Sequence, residues 1–132
     1  MKHKRSWWYS FVYAGDGLRY VILTQRNMKI HILAAFVVLS AGVMLDFSRS
    51  DWVMVIGAVF FVLFAEVMNT AVEKTIDMIT LEYHPLARIV KNLAAGAVLL
   101  AAIYALIVAY LVIWPYILAV LQMGVFVRMT PV

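Results

Sequence analysis

The sequence predicts an all-α integral membrane protein, in which an N-terminal interfacial helix precedes three transmembrane helices. Of its 132 residues, 66% are hydrophobic and only 14% are charged, and the mean hydropathy is +0.94. Such a chain has too few polar residues to cover a water-soluble globule. A hydrocarbon core about 30 Å thick requires about 20 residues per helix, which leaves room for about three spans. We therefore expect a single membrane domain over residues 1–132, and the absence of cysteine excludes disulfide bonds and cysteine-based metal sites.

The first region, residues 1–29, combines basic and aromatic side chains. Its basic residues are Lys2, Lys4, Arg5, Arg19, Arg26 and Lys29, and its aromatic residues include Trp7, Trp8, Tyr9, Phe11 and Tyr13. Because aromatic rings and long cationic side chains both favour the headgroup layer, we expect a helix lying on the membrane surface. Gly15 and Gly17 are predicted to break or bend this helix. The alternative is that the region is only a positively charged flank of the first span.

Three apolar segments follow and are predicted to cross the membrane. The first covers about residues 30–45, and a short polar turn over residues 46–51 leads to the second at residues 52–79. The third covers residues 86–114 and contains 22 consecutive uncharged residues, from Leu93 to Trp114.

Two prolines delimit the third span. Pro85 is expected to begin or flank the helix, and Pro115, between Trp114 and Tyr116, is expected to mark its far interface. The apolar tail at residues 116–132 then lies on the outer surface or packs against a neighbouring subunit, and the sequence leaves both options open.

The distribution of basic residues predicts the orientation of the chain. Residues 1–29 and 73–91 together hold nine Lys and Arg residues, whereas Arg49 and Arg128 are the two on the other side. The positive-inside rule therefore places the N-terminus and the 73–91 region in the cytoplasm. The net charge of +4 is explained by this asymmetry, and because the basic residues form no readout surface we expect no nucleic-acid partner.

A polar stripe on the second span is the strongest functional signal. Glu66 follows 14 uncharged residues, and Asn69, Glu73 and Asp77 come after it. At about 100° per residue these four positions lie within about 80° of one another on the helix. A carboxylate at membrane depth is costly and usually serves a function. The stripe therefore indicates acid/base or metal chemistry at the cytoplasmic surface of the bilayer, where ATP is present.

Other interpretations of the stripe remain open from the residues alone. Its carboxylates could simply pair with basic side chains of another helix, or they could belong to a proton or ion pathway. The first and third spans carry no matching ionisable group at mid-depth, which disfavours a pathway through one subunit. The phosphate-binding motifs of soluble nucleotide-binding proteins are absent.

Several motifs closely resemble the small bacterial membrane diacylglycerol kinase and undecaprenol kinase family. They are EVMNTAVEKTID from Glu66, EYHPLA from Glu82, KNLAAGAVL from Lys91, YAxxGLR from Tyr13 and RNxxIH from Arg26. The resemblance extends from about Ser10 to Pro115. It implies an ATP- and magnesium-dependent lipid kinase in the bacterial plasma membrane, working as a homotrimer whose active sites are shared between subunits.

The resemblance also implies roles for individual residues. Glu66 matches the catalytic base, which takes the proton from the lipid hydroxyl, and Arg19 lies where the surface helix meets the lipid substrate. Glu73 matches a magnesium ligand, and Gln25 occupies the position of a second one. The residues that match nucleotide contacts, or lie beside that centre, are Tyr13, Asn69, Glu73, Glu82, Tyr83, His84, Lys91 and Asn92.

Two positions depart from the family pattern, and they bear on the level of activity. Gln25 and Asn92 are amides where the family usually has carboxylates, and an amide binds magnesium less strongly than a carboxylate does.

The TAVE, HPLA and AAGAVL segments are more similar to the undecaprenol kinase branch than to the diacylglycerol kinase branch. We therefore predict an undecaprenol kinase, with a diacylglycerol kinase, a catalytically weak scaffold on the same fold, and a small ion-handling protein as alternatives.

Overall fold

The computed structural model describes residues 7–129, and it describes side chains as far as residue 122. Over that range the chain forms four helices: α1 (Trp7–Thr24), α2 (Arg26–Met44), α3 (Arg49–Ile79) and α4 (Pro85–Met129). The prediction of an all-α protein is therefore confirmed. Three segments, Arg26–Met44, Arg49–Ile79 and Pro85–Gln122, are long and apolar enough to cross a membrane, and large apolar side chains are exposed along them. These features indicate a multi-pass membrane protein.

Helix α1 is continuous through Gly15 and Gly17, so the predicted break is wrong, and the predicted alternative of a bend stays a prediction. Inside a helix, a glycine is about 1 kcal/mol less favourable than an alanine. The 18-residue helix α1 forms despite this cost, because no other residue in it forces a turn. The chain instead bends at Gln25, whose backbone is extended (φ −90°, ψ 123°) between α1 and α2. Within the predicted surface region of residues 1–29, α1 therefore ends at Thr24 and α2 begins at Arg26, and the first six residues lie outside the described range.

The corner between α2 and α3 is a tight, glycine-dependent turn. Asp46 adopts a left-handed conformation (φ 54°), which aspartate tolerates better than most residues. Phe47 N then donates to Gly42 O at 3.1 Å, the bond that closes a Schellman-type helix end. A Cβ on Gly42 would lie only 2.8 Å from Phe47 Cδ2 and 2.9 Å from Trp52 Cη2. Gly42 is therefore required for the close packing of this corner.

Helix α3 begins with a complete capping box, three residues earlier than the predicted span. Asp51 N donates to Ser48 Oγ at 3.2 Å, while Ser48 N and Ser48 Oγ both donate to Asp51 Oδ2. Tyr116 of α4 adds a hydrogen bond from its hydroxyl to Asp51 Oδ2 at 2.6 Å and accepts one from Ser48 N at 3.1 Å. We call Ser48, Asp51 and Tyr116 the outer cap.

Helices α3 and α4 pack in antiparallel fashion through two apolar clusters. Near the outer cap the buried residues are Phe47, Val55, Ala58, Val108 and Val112, and further along they are Val62, Ala65, Val98 and Ala101. Small residues let the two backbones approach closely, which favours association inside a membrane, where lipid is as apolar as protein. This packing holds the polar stripe of α3 against α4.

Helix α4 continues through Pro115 to Met129, beyond the predicted span of residues 86–114, and the membrane interface at Pro115 stays a prediction. Proline removes one backbone donor, but neighbouring groups accommodate this in membrane helices better than in soluble ones. The residues that follow are apolar, and in an apolar environment a helix satisfies their backbone groups best. Most of the predicted tail is therefore helical, and its last three residues lie outside the described range.

Candidate active site

The polar stripe opens into a pocket of about 310 Å³, which we call the acid pocket. Its lining residues are Asn27, Ile30 and His31 of α2, Glu66, Asn69 and Glu73 of α3, and Ala95, Val98, Leu99 and Ala102 of α4. The apolar α4 wall faces two helices that supply all the polar groups. A small substrate group entering this pocket would therefore meet carboxylate and amide oxygens on one side and hydrocarbon on the other.

Glu66 is the most completely buried large side chain among the described residues, with 1% of its surface exposed. Thr70 Oγ1 donates to the backbone carbonyl oxygen of Glu66 at 2.9 Å, and not to the Glu66 carboxylate. Within residues 7–122, Glu66 Oε2 has no hydrogen-bond partner. A buried carboxylate oxygen without a donor is unfavourable for stability, so its presence points to a donor that arrives with a ligand.

Asn69 and Glu73 form a hydrogen-bonded pair that begins about one turn after Glu66 on α3. Asn69 Nδ2 donates to Glu73 Oε1 at 3.1 Å, an i,i+4 contact on the same face of the helix. Asn69 is 6% exposed, and its Oδ1 atom likewise lacks a partner among the described side chains. Glu66 Oε2 and Asn69 Oδ1 are thus two buried acceptors on one helix face.

The oxygen atoms of the acid pocket are suited to a hard divalent cation. Carboxylate and amide oxygens are the ligands that Mg²⁺ and Ca²⁺ prefer, and Mg²⁺ usually keeps several waters or phosphate oxygens. The part of the chain that the structure describes has no cluster of three or more Asp, Glu, His or Cys residues that could hold a metal ion. Glu73 and Asn69 therefore offer a partial ligand set, which water or a phosphate would complete.

A second pocket, of about 260 Å³, lies at the α3–α4 loop, and we call it the loop pocket. The predicted residues that line it are Glu82, Tyr83, His84, Lys91 and Asn92, together with Asp77 from the end of the stripe and Arg88. Lys91 Nζ contacts Asp77 Oδ1 at 2.6 Å, and Lys74 Nζ lies 3.6 Å from Asp77 Oδ2. The stripe therefore joins two pockets, with Glu66, Asn69 and Glu73 in one and Asp77 in the other.

Three predicted site residues lie outside both pockets. Tyr13 and Arg19 are exposed on α1, and the Tyr13 ring lies 6.4 Å from the Tyr9 ring in a stacked arrangement. Gln25 is half-buried at the α1–α2 junction, where its Nε2 atom lies 3.4 Å from Thr24 Oγ1. The structure of the single chain therefore does not bring Gln25 together with Glu73 in the acid pocket.

Two residues of the acid pocket were missed as site residues from the sequence. Asn27 and His31 are four positions apart on α2, so they share one face and both line the pocket. The sequence does show that this amide and this imidazole share a helix face at the start of a long apolar run. It does not show that this face of α2 is turned towards Glu66.

Comparison with known proteins gives one consistent result. A sequence model of the family described as "Prokaryotic diacylglycerol kinase" matches residues 12–113. The chain is 39% identical over 109 residues to the undecaprenol kinase of Bacillus subtilis, covering 80% of this chain and 86% of that protein. It is 38% identical over 113 residues to a diacylglycerol kinase of Synechocystis, covering 85% and 65% respectively. The diacylglycerol kinase of Escherichia coli K12 is 29% identical over 104 residues, covering 79% and 85%.

Proposed function

The chain belongs to the prokaryotic diacylglycerol kinase family, and we propose that this lipid kinase transfers the γ-phosphoryl group of ATP to undecaprenol. The observation that carries the proposal is the buried Glu66 carboxylate, with one oxygen unpartnered, in a pocket on a membrane helix. The choice of acceptor rests on the 39% identity to an undecaprenol kinase over most of both chains. The 38% identity to a diacylglycerol kinase keeps diacylglycerol as the second candidate acceptor.

We assign Glu66 as the general base of the reaction. The lipid hydroxyl enters the acid pocket and donates its hydrogen bond to the free Oε2 atom. As the hydroxyl oxygen bonds to the γ-phosphorus, Glu66 takes its proton, and the bond from the γ-phosphorus to the β–γ bridging oxygen breaks to release ADP. The burial of Glu66 supports this role, because it excludes water that would otherwise compete as the phosphoryl acceptor.

Glu73 and Asn69 are the groups that would hold magnesium. They lie about 10 Å and 4.5 Å along the helix from Glu66 in the direction of the loop pocket, at 1.5 Å per residue. When bound, magnesium would neutralise negative charge on the phosphates of ATP. The Asn69–Glu73 hydrogen bond fixes the orientation of both side chains before the ion arrives.

The loop pocket is proposed to receive the nucleotide, with Glu82, Tyr83, His84 and Asn92 around it. Lys91 provides a positive charge for phosphate, and its contact with Asp77 holds the side chain between α3 and α4. Tyr13 and Arg19 would act from the surface helix, Tyr13 on the nucleotide and Arg19 on the lipid headgroup. Both roles require α1 to lie in the cytoplasmic interface, which agrees with its exposed aromatic side chains.

Gln25 remains a proposed second magnesium ligand on the strength of the resemblance only, and a substitution tests it. If Gln25 reaches the metal, Gln25→Glu will lower the Mg²⁺ concentration required for half-maximal activity, because a carboxylate binds Mg²⁺ more strongly than an amide. An unchanged Mg²⁺ requirement would exclude it. Asn92→Asp is the matched test in the loop pocket.

The assembly is proposed to be a homotrimer in the bacterial plasma membrane, with the N-terminus in the cytoplasm. The excess of basic residues at the N-terminus and in the 73–91 region supports this orientation. The apolar side chains exposed on α2, α3 and α4 are compatible with contacts to lipid and to neighbouring subunits. Native mass spectrometry in detergent would test the trimer, and labelling of an introduced N-terminal cysteine from either side would test the orientation.

The function itself is tested by offering both lipids to the reconstituted protein. Purified protein in liposomes receives labelled ATP and Mg²⁺ with either undecaprenol or diacylglycerol, and the products are separated by thin-layer chromatography. We expect a higher kcat/KM for undecaprenol, and faster phosphorylation of diacylglycerol would reverse the order of the two acceptors. If neither lipid is phosphorylated until Gln25→Glu and Asn92→Asp are introduced together, the scaffold alternative is favoured. Ion flux in the absence of ATP would favour the ion-handling alternative.

A further inference from the structure

Three side chains of alternating charge lie in a row near the C-terminal end of α3. Lys91 Nζ of α4 contacts Asp77 Oδ1 at 2.6 Å, and Lys74 Nζ lies 3.6 Å from Asp77 Oδ2. The two lysines therefore approach different oxygens of the same carboxylate. We call Lys74, Asp77 and Lys91 the charge triad.

Two members of the charge triad belong to the loop pocket. Asp77 and Lys91 line it, whereas Lys74 is exposed and lies outside that lining. The side chains of Asp77 and Lys91 are 34% and 39% exposed, so water and salt screen their contact less than that of a fully exposed pair. The lysine that the proposed function assigns to phosphate is thus already paired with an anion of its own chain.

The formal charges that line the loop pocket cancel. Its carboxylates are Asp77 and Glu82, and its cations are Arg88 and Lys91, with His84 counted as neutral. Because ATP and ADP carry several negative charges, a pocket of zero formal charge attracts them less than a basic pocket would. Asp77 therefore opposes nucleotide binding in two ways, by neutralising Lys91 and by adding a negative charge to the lining.

Lys91 has enough donors for two anions, but the electrostatics oppose such sharing. An ammonium group has three N–H donors, so one bond to Asp77 leaves donors for a phosphate. A phosphate oxygen and Asp77 would then both lie about 3 Å from the Nζ atom of Lys91, and like charges that close to each other repel. A bound nucleotide is therefore expected to draw Lys91 towards its phosphates and to weaken the contact with Asp77.

Lys74 lowers the cost of that exchange. It lies three residues before Asp77 on the same helix, and it approaches the carboxylate oxygen that Lys91 does not contact. When Lys91 turns to a phosphate, Asp77 therefore still has a cation beside it. Without Lys74, a partly buried carboxylate would be left unpaired, which is unfavourable.

We propose that Asp77 sets the nucleotide affinity of the loop pocket by competing with phosphate for Lys91, while Lys74 keeps Asp77 paired when the nucleotide is bound. Asp77 is thus a positioning residue, which acts on the nucleotide through Lys91. The inference rests on the proposed lipid kinase function, which assigns the nucleotide to the loop pocket. It implies that the return of Lys91 to Asp77 assists the release of ADP.

Calorimetric titration with ADP and with ATP tests the proposal. The full-length protein in detergent receives Mg²⁺ and either nucleotide without any lipid alcohol, so that no phosphoryl transfer to lipid occurs. Asp77→Asn should lower the Kd of both nucleotides about fivefold, the upper end of what an exposed ion pair contributes. Misfolding would weaken binding, so it cannot produce this gain. Added salt should reduce the gain, because it screens the charges.

Charge-matched variants separate the competition from a general effect of charge. Asp16→Asn removes the same charge from an exposed position of α1 outside both pockets, and it should leave both Kd values unchanged. Lys74→Met should raise both Kd values about threefold, because Asp77 then pairs with Lys91 alone. Lys29→Met, at an exposed position of α2 outside both pockets, should not raise them.

The possible outcomes separate the proposed function from the role of Asp77. If the unmodified protein binds both nucleotides but phosphorylates no lipid alcohol, only the proposed function fails, and if it binds neither nucleotide, both fail. An unchanged or raised Kd in Asp77→Asn, at an unchanged melting temperature, overturns the role of Asp77, because the carboxylate then merely orients Lys91 or contacts the nucleotide itself. An equal gain in Asp16→Asn also overturns it. If Asp77→Asn does not fold, Lys74→Met decides, and an unchanged Kd in that variant overturns the proposal.

Discussion

The first turn and the middle of α3 contain acidic side chains in opposite environments. At the outer cap, Asp51 accepts hydrogen bonds from the backbone and hydroxyl of Ser48 and from the hydroxyl of Tyr116. In the acid pocket, Glu66 is more deeply buried, yet its Oε2 atom has no partner among the described residues. One carboxylate stabilises the fold, and the other is held in a position that is unfavourable for the fold.

The difference separates structural from functional polarity on one helix. A carboxylate that satisfies a helix N-terminus contributes stability through charge-assisted hydrogen bonds and the helix dipole. A carboxylate left without donors loses the free energy of its hydration, and the cost is offset only when a ligand provides the missing donor. Substitutions at the two sites should therefore affect different measurements, activity at Glu66 and stability at Asp51.

The largest expected effect is the loss of activity in Glu66→Gln. An amide cannot take the proton of the lipid hydroxyl, so kcat should fall by about 10²- to 10⁴-fold, the range typical of a general base. The measurement is transfer of labelled phosphate from ATP to undecaprenol in liposomes. The thermal stability should stay the same or rise, because a neutral amide is easier to bury than a carboxylate.

Asp51→Asn is the matched control for this prediction, since it makes an equivalent change in the first turn of α3. It should retain activity while lowering the melting temperature, because one helix cap is weakened by about 0.5–2 kcal/mol. Retained turnover in Glu66→Gln would contradict the assignment of the base.

The next largest effect is expected for Glu73→Gln, and it should depend on the metal. Because Glu73 is the carboxylate of the Asn69–Glu73 pair, its replacement should raise the Mg²⁺ concentration needed for half-maximal activity about tenfold or more. The measurement is a Mg²⁺ titration of kinase activity at fixed ATP and lipid. A fall in kcat with an unchanged Mg²⁺ requirement would assign Glu73 to another role, and Glu82→Gln in the loop pocket serves as the comparison.

The sequence was sufficient for the fold class and for the stripe, for a physical reason. Membrane spans and a polar stripe both depend on local periodicity, and Glu66, Asn69 and Glu73 share a face because of helical geometry alone. Glu66, Asn69 and Glu73 indeed line one pocket, and Lys91 and Asn92 line another.

The errors and omissions arose where tertiary context decides the outcome. Gly15 and Gly17 disfavour a helix by local propensity, but both lie inside the continuous helix α1. Asn27 and His31 were missed as site residues because only the packing of α2 against α3 shows which residues of α2 face Glu66.

A smaller effect, on stability alone, is expected for Gly42→Ala at the α2–α3 corner. The added Cβ would lie 2.8 Å from Phe47 Cδ2, so the Phe47 and Trp52 rings would have to move. Overpacking of this kind typically costs about 1–3 kcal/mol. Gly57→Ala is the matched control, because no atom lies within 4 Å of its Cβ position and alanine favours the helix. Thermal unfolding in detergent should show a lower midpoint for Gly42→Ala only, and equal midpoints would mean that the corner is less tightly packed than the structure indicates.

The smallest expected effect is that of Tyr116→Phe, which tests how much α4 contributes to the outer cap. The substitution removes one hydrogen bond to Asp51 Oδ2 and the acceptor of a second from Ser48 N, while the aromatic ring keeps its contact with Phe47. Because Ser48 still donates to Asp51, the free energy of unfolding should fall by only about 1 kcal/mol. Kinase activity per folded protein should be unchanged, since 14 residues of α3 separate Asp51 of the outer cap from Glu66 of the acid pocket. A loss of activity at unchanged stability would contradict the separation of the two sites, because it would mean that the anchoring of α4 at Tyr116 controls the position of residues such as Ala102 and Lys91.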